Sequence, residues 1–119
     1  ATLLHFFQVV DRANLKINFD PANMILYGTG DPIEALGTLA KHVVTIHAKD
    51  GDWPDQAKPG ALGVEQPLGA GSVGMERFVA KIKEIGYTGT INVEREGTDA
   101  ARWRTDVAAA VKLLNGLLG

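Results

Sequence analysis

The chain has 119 residues, of which 45% are hydrophobic, with a net charge of −2 and no cysteine. A protein of this mass buries about two thirds of its extended-chain surface, so residues 1–119 suffice for a single domain with one core. A net charge near zero, without a stripe of Lys and Arg residues, excludes the positive surface that nucleic-acid or anionic-membrane binding needs. The absence of cysteine excludes disulfides and thiolate zinc sites. No apolar run reaches the roughly 18 residues of a spanning helix, and residues 1–10 lack a signal-peptide pattern, which together predict a cytoplasmic protein.

Hydrophobic periodicity and capping residues predict four helices and three strands that alternate along the chain. In chain order these are a helix over 2–12, a strand over 15–20, a helix that Asp31 caps, a strand over 43–49, a helix that Ser72 caps, a strand over 90–94 and a last helix from Thr98 or Asp99. A loop that holds residues 27–30 is predicted after Pro21, and residues 50–71 show no periodicity and are also a predicted loop. The first helix, including His5, is expected to be covered by protein, and Trp103 is expected in the core.

This order is typical of an α/β protein. One helix precedes three consecutive strand–helix units, and each crossover is long enough to join parallel strands by a right-handed connection.

Each predicted strand has one apolar row of side chains and one polar row, because side chains alternate faces along a strand. In chain order, the apolar rows are Leu15, Ile17 and Phe19, then Val44, Ile46 and Ala48, then Ile91 and Val93. The polar rows are Lys16, Asn18 and Asp20, then Thr45, His47 and Lys49, then Thr90, Asn92, Glu94 and Glu96. Parallel strands covered on both faces are apolar throughout. The shared polar row is therefore expected to border a cavity.

Three residues with metal-ligating side chains, Asp20, His47 and Glu94, fall at the C-terminal ends of these strands and on the polar row. Barrels and doubly wound sheets place their chemistry at this edge. Two carboxylates and an imidazole suit Mn²⁺, Mg²⁺, Co²⁺ or Zn²⁺. Taken singly, each residue also has a structural explanation. Asp20 opens a turn, His47 is a hydrogen-bonded strand histidine, and Glu94 is a solvated strand end. The coincidence of all three favours a metal site.

Four segments and the last helix carry a resemblance to a known family. They are FDPANMILYG (19–28), VTIHAKDG (44–51), PLGAGSV (67–73) and EIGYTGTINVERE (84–96). As a set they resemble the C-terminal part of the xylose isomerase-like sugar isomerase/epimerase family, whose fold is a TIM barrel. Since a complete barrel has eight strands in about 250 residues, the resemblance implies that this chain is a partial TIM barrel.

The resemblance also implies roles for particular residues. Asp20, His47 and Glu94 correspond to metal ligands and Asn23 to a substrate contact. Lys49 and Asp50 correspond to the segment that follows the histidine, where Lys49 is expected to contact substrate. The implied activity is metal-dependent proton transfer next to a carbonyl of a sugar, sugar phosphate or hydroxy-ketone, with Glu94 as ligand and general acid/base. The family's fourth ligand, a glutamate on the preceding strand, is absent from this sequence. Weak metal binding and no isomerase or epimerase activity are therefore expected of the chain alone.

Several alternatives stay open at this point. Trp53 in the long loop is either a sugar-stacking residue or a loop anchor. An abasic-site endonuclease on the same fold would call for more histidines and a basic groove. A non-catalytic interaction module would use the polar row for assembly only. In every case the open outer strands predict a homo-oligomer.

Overall fold

The computed structural model describes residues 2–119 and shows an α/β arrangement with an open parallel sheet. The elements are α1 (Thr2–Val10), β1 (Ile17–Phe19), α2 (Pro21–Leu26), α3 (Pro32–Leu39), a 3₁₀ turn (Ala40–His42), β2 (Val43–Ala48), β3 (Asp50–Asp52), β4 (Val64–Gln66), α4 (Met75–Glu84), β5 (Thr90–Val93) and α5 (Ala100–Leu118). The four predicted helices and three predicted strands are confirmed, with ends that differ by a few residues.

The main sheet has the order β1-β2-β5, and both pairs are parallel. Ile17 pairs with Val43, but Asn18 pairs with Thr45, so Val44 is an extra residue in β2 at this point. This irregularity is why Val44 is 49% exposed, whereas the alternation places it on the apolar row. Beyond the bulge the alternation is restored, and the polar row runs unbroken to the C-terminal edge of the sheet.

The core lies on the helix-covered face of the sheet. Phe19 and Ile46 project from the strands against α2, α3 and α4, and Phe19 stacks on Phe78 with ring centroids 6.1 Å apart. A smaller cluster of Ala48, Val79 and Leu114 joins α4 and α5 to the same face. The helices thus hold the strands from one side and leave the polar row on the other.

Two predicted loops contain regular structure. Residues 21–26 form α2, because Asp20 caps this helix and Pro21 occupies its first turn. The 50–71 segment contains the antiparallel hairpin β3–β4, in which Asp50 pairs with Gln66. The N-cap of α4 is Gly74 and not Ser72, whose hydroxyl donates instead to Asp52 Oδ1 at 2.9 Å.

Several apolar side chains predicted to be covered are exposed. α1 has no buried residue, His5 is exposed, and Phe6 and Val9 are 50% and 68% exposed. Trp103 is 41% exposed, and its indole nitrogen donates to the Arg95 carbonyl at 2.6 Å. Periodicity identifies an apolar face but not the element that covers it.

The described residues form an open sheet and no closed barrel. The accessible surface is 7371 Å², compared with about 6,200 Å² for a compact protein of this mass. The Cα radius of gyration is 14.9 Å, compared with about 13.5 Å for a compact domain of this length. Among the described helices, none combines the length and apolar character needed to cross a bilayer.

Candidate metal centre

The C-terminal ends of β1, β2 and β5 bring three ligand-type side chains to one place. Asp20 directly follows β1, where Pro21 ends the strand, and its Oδ1 accepts a hydrogen bond from the Asn23 backbone N–H at 2.9 Å. His47 lies near the end of β2. Glu94 directly follows β5, and its N–H donates to the Ala48 carbonyl at 3.1 Å, which continues the strand pairing to this residue.

The imidazole Nδ1 of His47 faces both carboxylates. It lies 2.7 Å from Glu94 Oε2 and 3.6 Å from Asp20 Oδ2. One ligand atom from each of the three residues lies within 4.8 Å of the other two. This spacing is short enough for all three groups to contact a single cation.

The Oδ2 atom of Asp20 is buried and, within residues 2–119, has no hydrogen-bond partner. Burial raises the pKa of the Asp20 carboxyl above 3.8, and the charge of Glu94 adds to this, although the Asn23 hydrogen bond and the positive charge of Lys49 act in the opposite direction. A buried acceptor without a donor is destabilising. A divalent cation beside His47 Nδ1 would satisfy it, so the residues present fit such an ion.

Lys49 lies beside this cluster and is 3% exposed. Its Nζ is 2.9 Å from Glu96 Oε1 and 3.6 Å from Glu94 Oε1. Burial by itself lowers the pKa of Lys49, but the hydrogen bond that Lys49 donates to Glu96 and the charges of Glu94 and Asp20 outweigh it and raise the pKa above 10.5. The site therefore contains a fixed positive charge next to Glu94.

Two residues of the polar row form a hydrogen-bonded chain behind His47. The Thr45 hydroxyl donates to Asn18 Oδ1 at 2.6 Å, and Asn18 Nδ2 lies 3.1 Å from His47 Nε2. Sequence reasoning placed all three residues on one row but gave no role to Asn18. The signal was available, since neighbouring parallel strands bring residues of one row into lateral contact.

Asp50 is a further residue that sequence reasoning left without a role. It is 1% exposed, and its carboxylate accepts hydrogen bonds from the backbone N–H groups of Gly51 (2.9 Å), Gly69 (2.9 Å) and Val73 (3.1 Å). A Cβ at Gly71 would overlap Asp50 Oδ1. The glycines of this loop thus allow the backbone to approach Asp50, which anchors residues 69–73 beside Lys49.

Arg95 holds the connection that carries Glu94 and Glu96. Its guanidinium contacts Glu65 Oε1 at 2.8 Å and Asp106 Oδ2 at 2.9 Å. Glu65 Oε1 also accepts from the Glu96 backbone N–H at 3.0 Å. The hydrogen bond to Glu65 raises the pKa of Arg95 above its usual range, burial opposes this, and the hydrogen bond to Asp106 adds to it. Arg95 therefore ties β4 and α5 to the end of β5.

The predicted substrate-contacting residues have different positions. Asn23 lines, together with Asp20 and Asn18, a groove of about 720 Å³ that runs along β1 between α1 and α3. Lys49 contacts Glu94 as described. Trp53 follows β3, is 43% exposed and is not among the residues lining this groove. The structure therefore brings Asp20, His47, Glu94 and Lys49 together with Asn23 beside them, while their roles as ligands and contacts stay predictions.

Comparison with known proteins identifies relatives of this chain. The family model described as xylose isomerase-like TIM barrel matches residues 1–116. The crystal structure of a xylose isomerase domain protein from Planctomyces limnophilus has a TM-score of 0.94 and 49% identity, covering 98% of this chain and 42% of that one.

Two further relatives have lower sequence identity to this chain. A xylose isomerase-like TIM barrel protein from Mycobacterium smegmatis, solved in complex with magnesium, has a TM-score of 0.67 and 23% identity, covering 98% of this chain and 40% of that one, which shows a shared fold. An uncharacterized protein of Methanocaldococcus jannaschii is 25% identical over 116 residues, 96% of this chain and 37% of its own length. This chain thus spans about two fifths of the length of these relatives.

Proposed function

Because the chain belongs to the family of xylose isomerase-like TIM barrels, we propose that Asp20, His47 and Glu94 hold a divalent cation. We further propose that, together with the remainder of a barrel, they catalyse proton transfer next to a carbonyl of a sugar, sugar phosphate or hydroxy-ketone. The observation that carries this proposal is the geometry around His47 Nδ1. It faces one oxygen of each carboxylate, and one of these oxygens is buried without a partner.

In this proposal, each residue of the site has a separate chemical role. When bound, a divalent cation stabilises negative charge that develops on a substrate oxygen. Glu94 is the general acid/base, since its side chain is 34% exposed and accessible to substrate from the open face of the sheet. Lys49 presents positive charge to substrate oxygens and to Glu94, whose Oε1 lies 3.6 Å from its Nζ, and the Asn23 amide binds a hydroxyl from within the groove. The exposed Trp53 indole is the sugar-stacking surface in this proposal.

The family resemblance calls for a second glutamate on a preceding strand, and residues 2–119 show no counterpart in the cluster. Moving a proton from one face of a substrate carbon to the other needs two groups on opposite sides. We therefore expect this chain to bind a cation weakly and to show no epimerase turnover by itself.

A Mn²⁺ titration of the wild-type chain, His47→Ala and His5→Ala tests the cation site. His5 is exposed on α1, so His5→Ala is the matched control for losing one imidazole. We expect wild type and His5→Ala to bind one equivalent alike and His47→Ala to bind at least about tenfold more weakly, because a lost ligand should cost no less than a lost supporting residue. Equal binding by all three proteins would refute the proposal and favour an interaction module. Competition with Mg²⁺, Co²⁺ and Zn²⁺ then ranks the metals.

The open sheet supports a second part of the proposal, which concerns self-association. The outer edges of β1 and β5 carry no partner strand in the described chain, and α1 exposes Leu3, Phe6 and Val9. Unpaired strand edges are templates for pairing with another chain. We expect a homo-oligomer in size-exclusion chromatography with light scattering, and a monomer at micromolar concentration would contradict this expectation.

A further inference from the structure

The hydrogen bonds around His47 define which ring nitrogen carries its proton. Thr45 donates its hydroxyl proton to Asn18 Oδ1, which leaves the Asn18 amide nitrogen to face His47 Nε2. An amide nitrogen only donates, so Nε2 must be the acceptor in this pair. In a neutral ring the proton then lies on Nδ1, the ring nitrogen that is 2.7 Å from Glu94 Oε2.

Cation binding at the proposed site requires a different arrangement. The two carboxylates face Nδ1 and not Nε2, so the ring must offer the Nδ1 lone pair to the cation. A neutral imidazole that uses Nδ1 as a ligand carries its proton on Nε2. That proton would meet the Asn18 amide N–H groups, and two donors would face each other.

Asn18 can remove this conflict by rotating its terminal amide. Its Oδ1 then accepts from His47 Nε2–H, and its Nδ2 donates to the Thr45 hydroxyl oxygen, which accepts as well as donates. The ring loses one proton from Nδ1 to water and gains one from water at Nε2, so its net charge does not change. The side-chain positions need not move, because only the oxygen and nitrogen of the amide exchange places.

We propose that Asn18 is a positioning residue that selects Nδ1 of His47 as the cation ligand, and that its side-chain amide turns over when the cation binds. This inference rests on the proposed function, because it concerns the same site. Metal-ligating histidines are generally oriented by a partner on the other ring nitrogen, and loss of that partner typically weakens metal binding by about 10- to 100-fold. Asn18 is the described side chain that meets Nε2.

The test uses three variants. Asn18→Leu removes both hydrogen bonds. Asn18→Asp can only accept, so it favours the proton on Nε2 and leaves Nδ1 ready for a cation. Asn92→Leu is the matched control, since Asn92 pairs with His47 from the opposite strand and is exposed. With Zn²⁺ as the probe, we expect affinity to fall about 10- to 100-fold for Asn18→Leu, to be kept or increased for Asn18→Asp, and to be unchanged for Asn92→Leu.

The tautomer itself is read by ¹⁵N NMR of the imidazole rings near pH 8, with His47→Ala used to assign the His47 signals. We expect the proton on Nδ1 in the wild-type chain before Zn²⁺ is added and on Nε2 afterwards. In Asn18→Asp the proton is expected on Nε2 throughout. A merely structural role for Asn18 would not move these signals.

The outcomes separate this inference from the proposal beneath it. If the wild-type chain binds no Zn²⁺, the cation site is refuted and the amide inversion with it. If it binds Zn²⁺ but Asn18→Leu binds as tightly as Asn92→Leu, only the role of Asn18 is refuted. A proton that starts on Nε2, or stays on Nδ1 after Zn²⁺ binds, likewise overturns the inversion and leaves the cation site standing.

Discussion

Replacing Asp20 by Asn should stabilise the chain while it weakens cation binding. The two oxygens of the Asp20 carboxylate have different surroundings in the structure. Its Oδ1 caps α2 by accepting from the Asn23 N–H at 2.9 Å, whereas its Oδ2 is buried without a partner. Asparagine caps a helix about as well as aspartate. The substitution therefore keeps the cap and removes a buried charge.

The expected gain follows from the unpartnered oxygen. A buried polar atom that makes no hydrogen bond costs about 1–3 kcal/mol, and more when it is charged. The amide that replaces it is still imperfectly paired but carries no charge. We expect the free energy of unfolding of Asp20→Asn to rise by about 1 kcal/mol at neutral pH, which corresponds to a shift of the midpoint temperature by roughly 4 °C for a chain of this size.

The pH dependence has a definite sign. Because burial raises the pKa of Asp20 above the unfolded value of 3.8, the folded chain binds a proton in a range where the unfolded chain does not. Stability contributed by this group is therefore present at low pH and lost as the pH rises from about 4 through the raised pKa. The advantage of Asp20→Asn should vanish near pH 3 and be complete above the raised pKa.

Urea unfolding at several pH values, without and with Mn²⁺, measures both effects. Asp31→Asn is the matched control, because Asp31 also caps a helix that begins with proline, but it is exposed. Its stability should change by no more than about 0.5 kcal/mol. Mn²⁺ should stabilise the wild-type chain and Asp31→Asn but not Asp20→Asn. A destabilised Asp20→Asn protein without metal would refute the reasoning, since it would show that Oδ2 is favourably solvated or paired.

Three further substitutions test the framework of the site by urea unfolding. The free energy of unfolding of Asp50→Asn should fall by about 2–3 kcal/mol, because an amide cannot accept all three backbone bonds. Asp52 is half-exposed, so Asp52→Asn should lose less than about 1 kcal/mol. Equal losses would contradict the anchoring role of Asp50. Arg95→Met should lose about 2–4 kcal/mol by removing the cation that contacts the carboxylates of Glu65 and Asp106, and a neutral result would show that water compensates its loss. Tyr87→Phe should lose about 1 kcal/mol, since its single hydroxyl proton is shared between carbonyls of β2 and β5, and a larger loss would indicate a packing role.

Local signals predict local structure in this chain. The sequence Asp31-Pro32 with Glu34 predicts a helix start, and the structure confirms it, with Asp31 Oδ1 accepting from Ile33 and Glu34 N–H groups. The same Asp-Pro signal stands at Asp20-Pro21, where the prediction of a loop is wrong. The helix there is only six residues long, too short for the periodicity that otherwise identifies a helix.

Burial could not be predicted in the same way. The apolar face of α1 and the ring of Trp103 follow a helical period, yet both are exposed. The hydrophobic period of a helix depends only on its own residues. The burial of that helix depends on another element that must pack against it. Within residues 2–119, Leu3, Phe6 and Val9 of α1 stay exposed.

The sequence by itself determined the polar row and the three candidate ligands, because the two-residue period of a strand and the shared edge of parallel strands follow from backbone geometry. Only the tertiary structure decided that Asn18, and not Asn92, hydrogen-bonds to His47, that Asp20 Oδ2 has no partner, and that Nδ1 faces the carboxylates. These facts depend on residues 27–47 positions apart and on a bulge at Val44 that sets their register. No interaction between chain neighbours encodes such a register, since it results from packing the whole sheet against its helices.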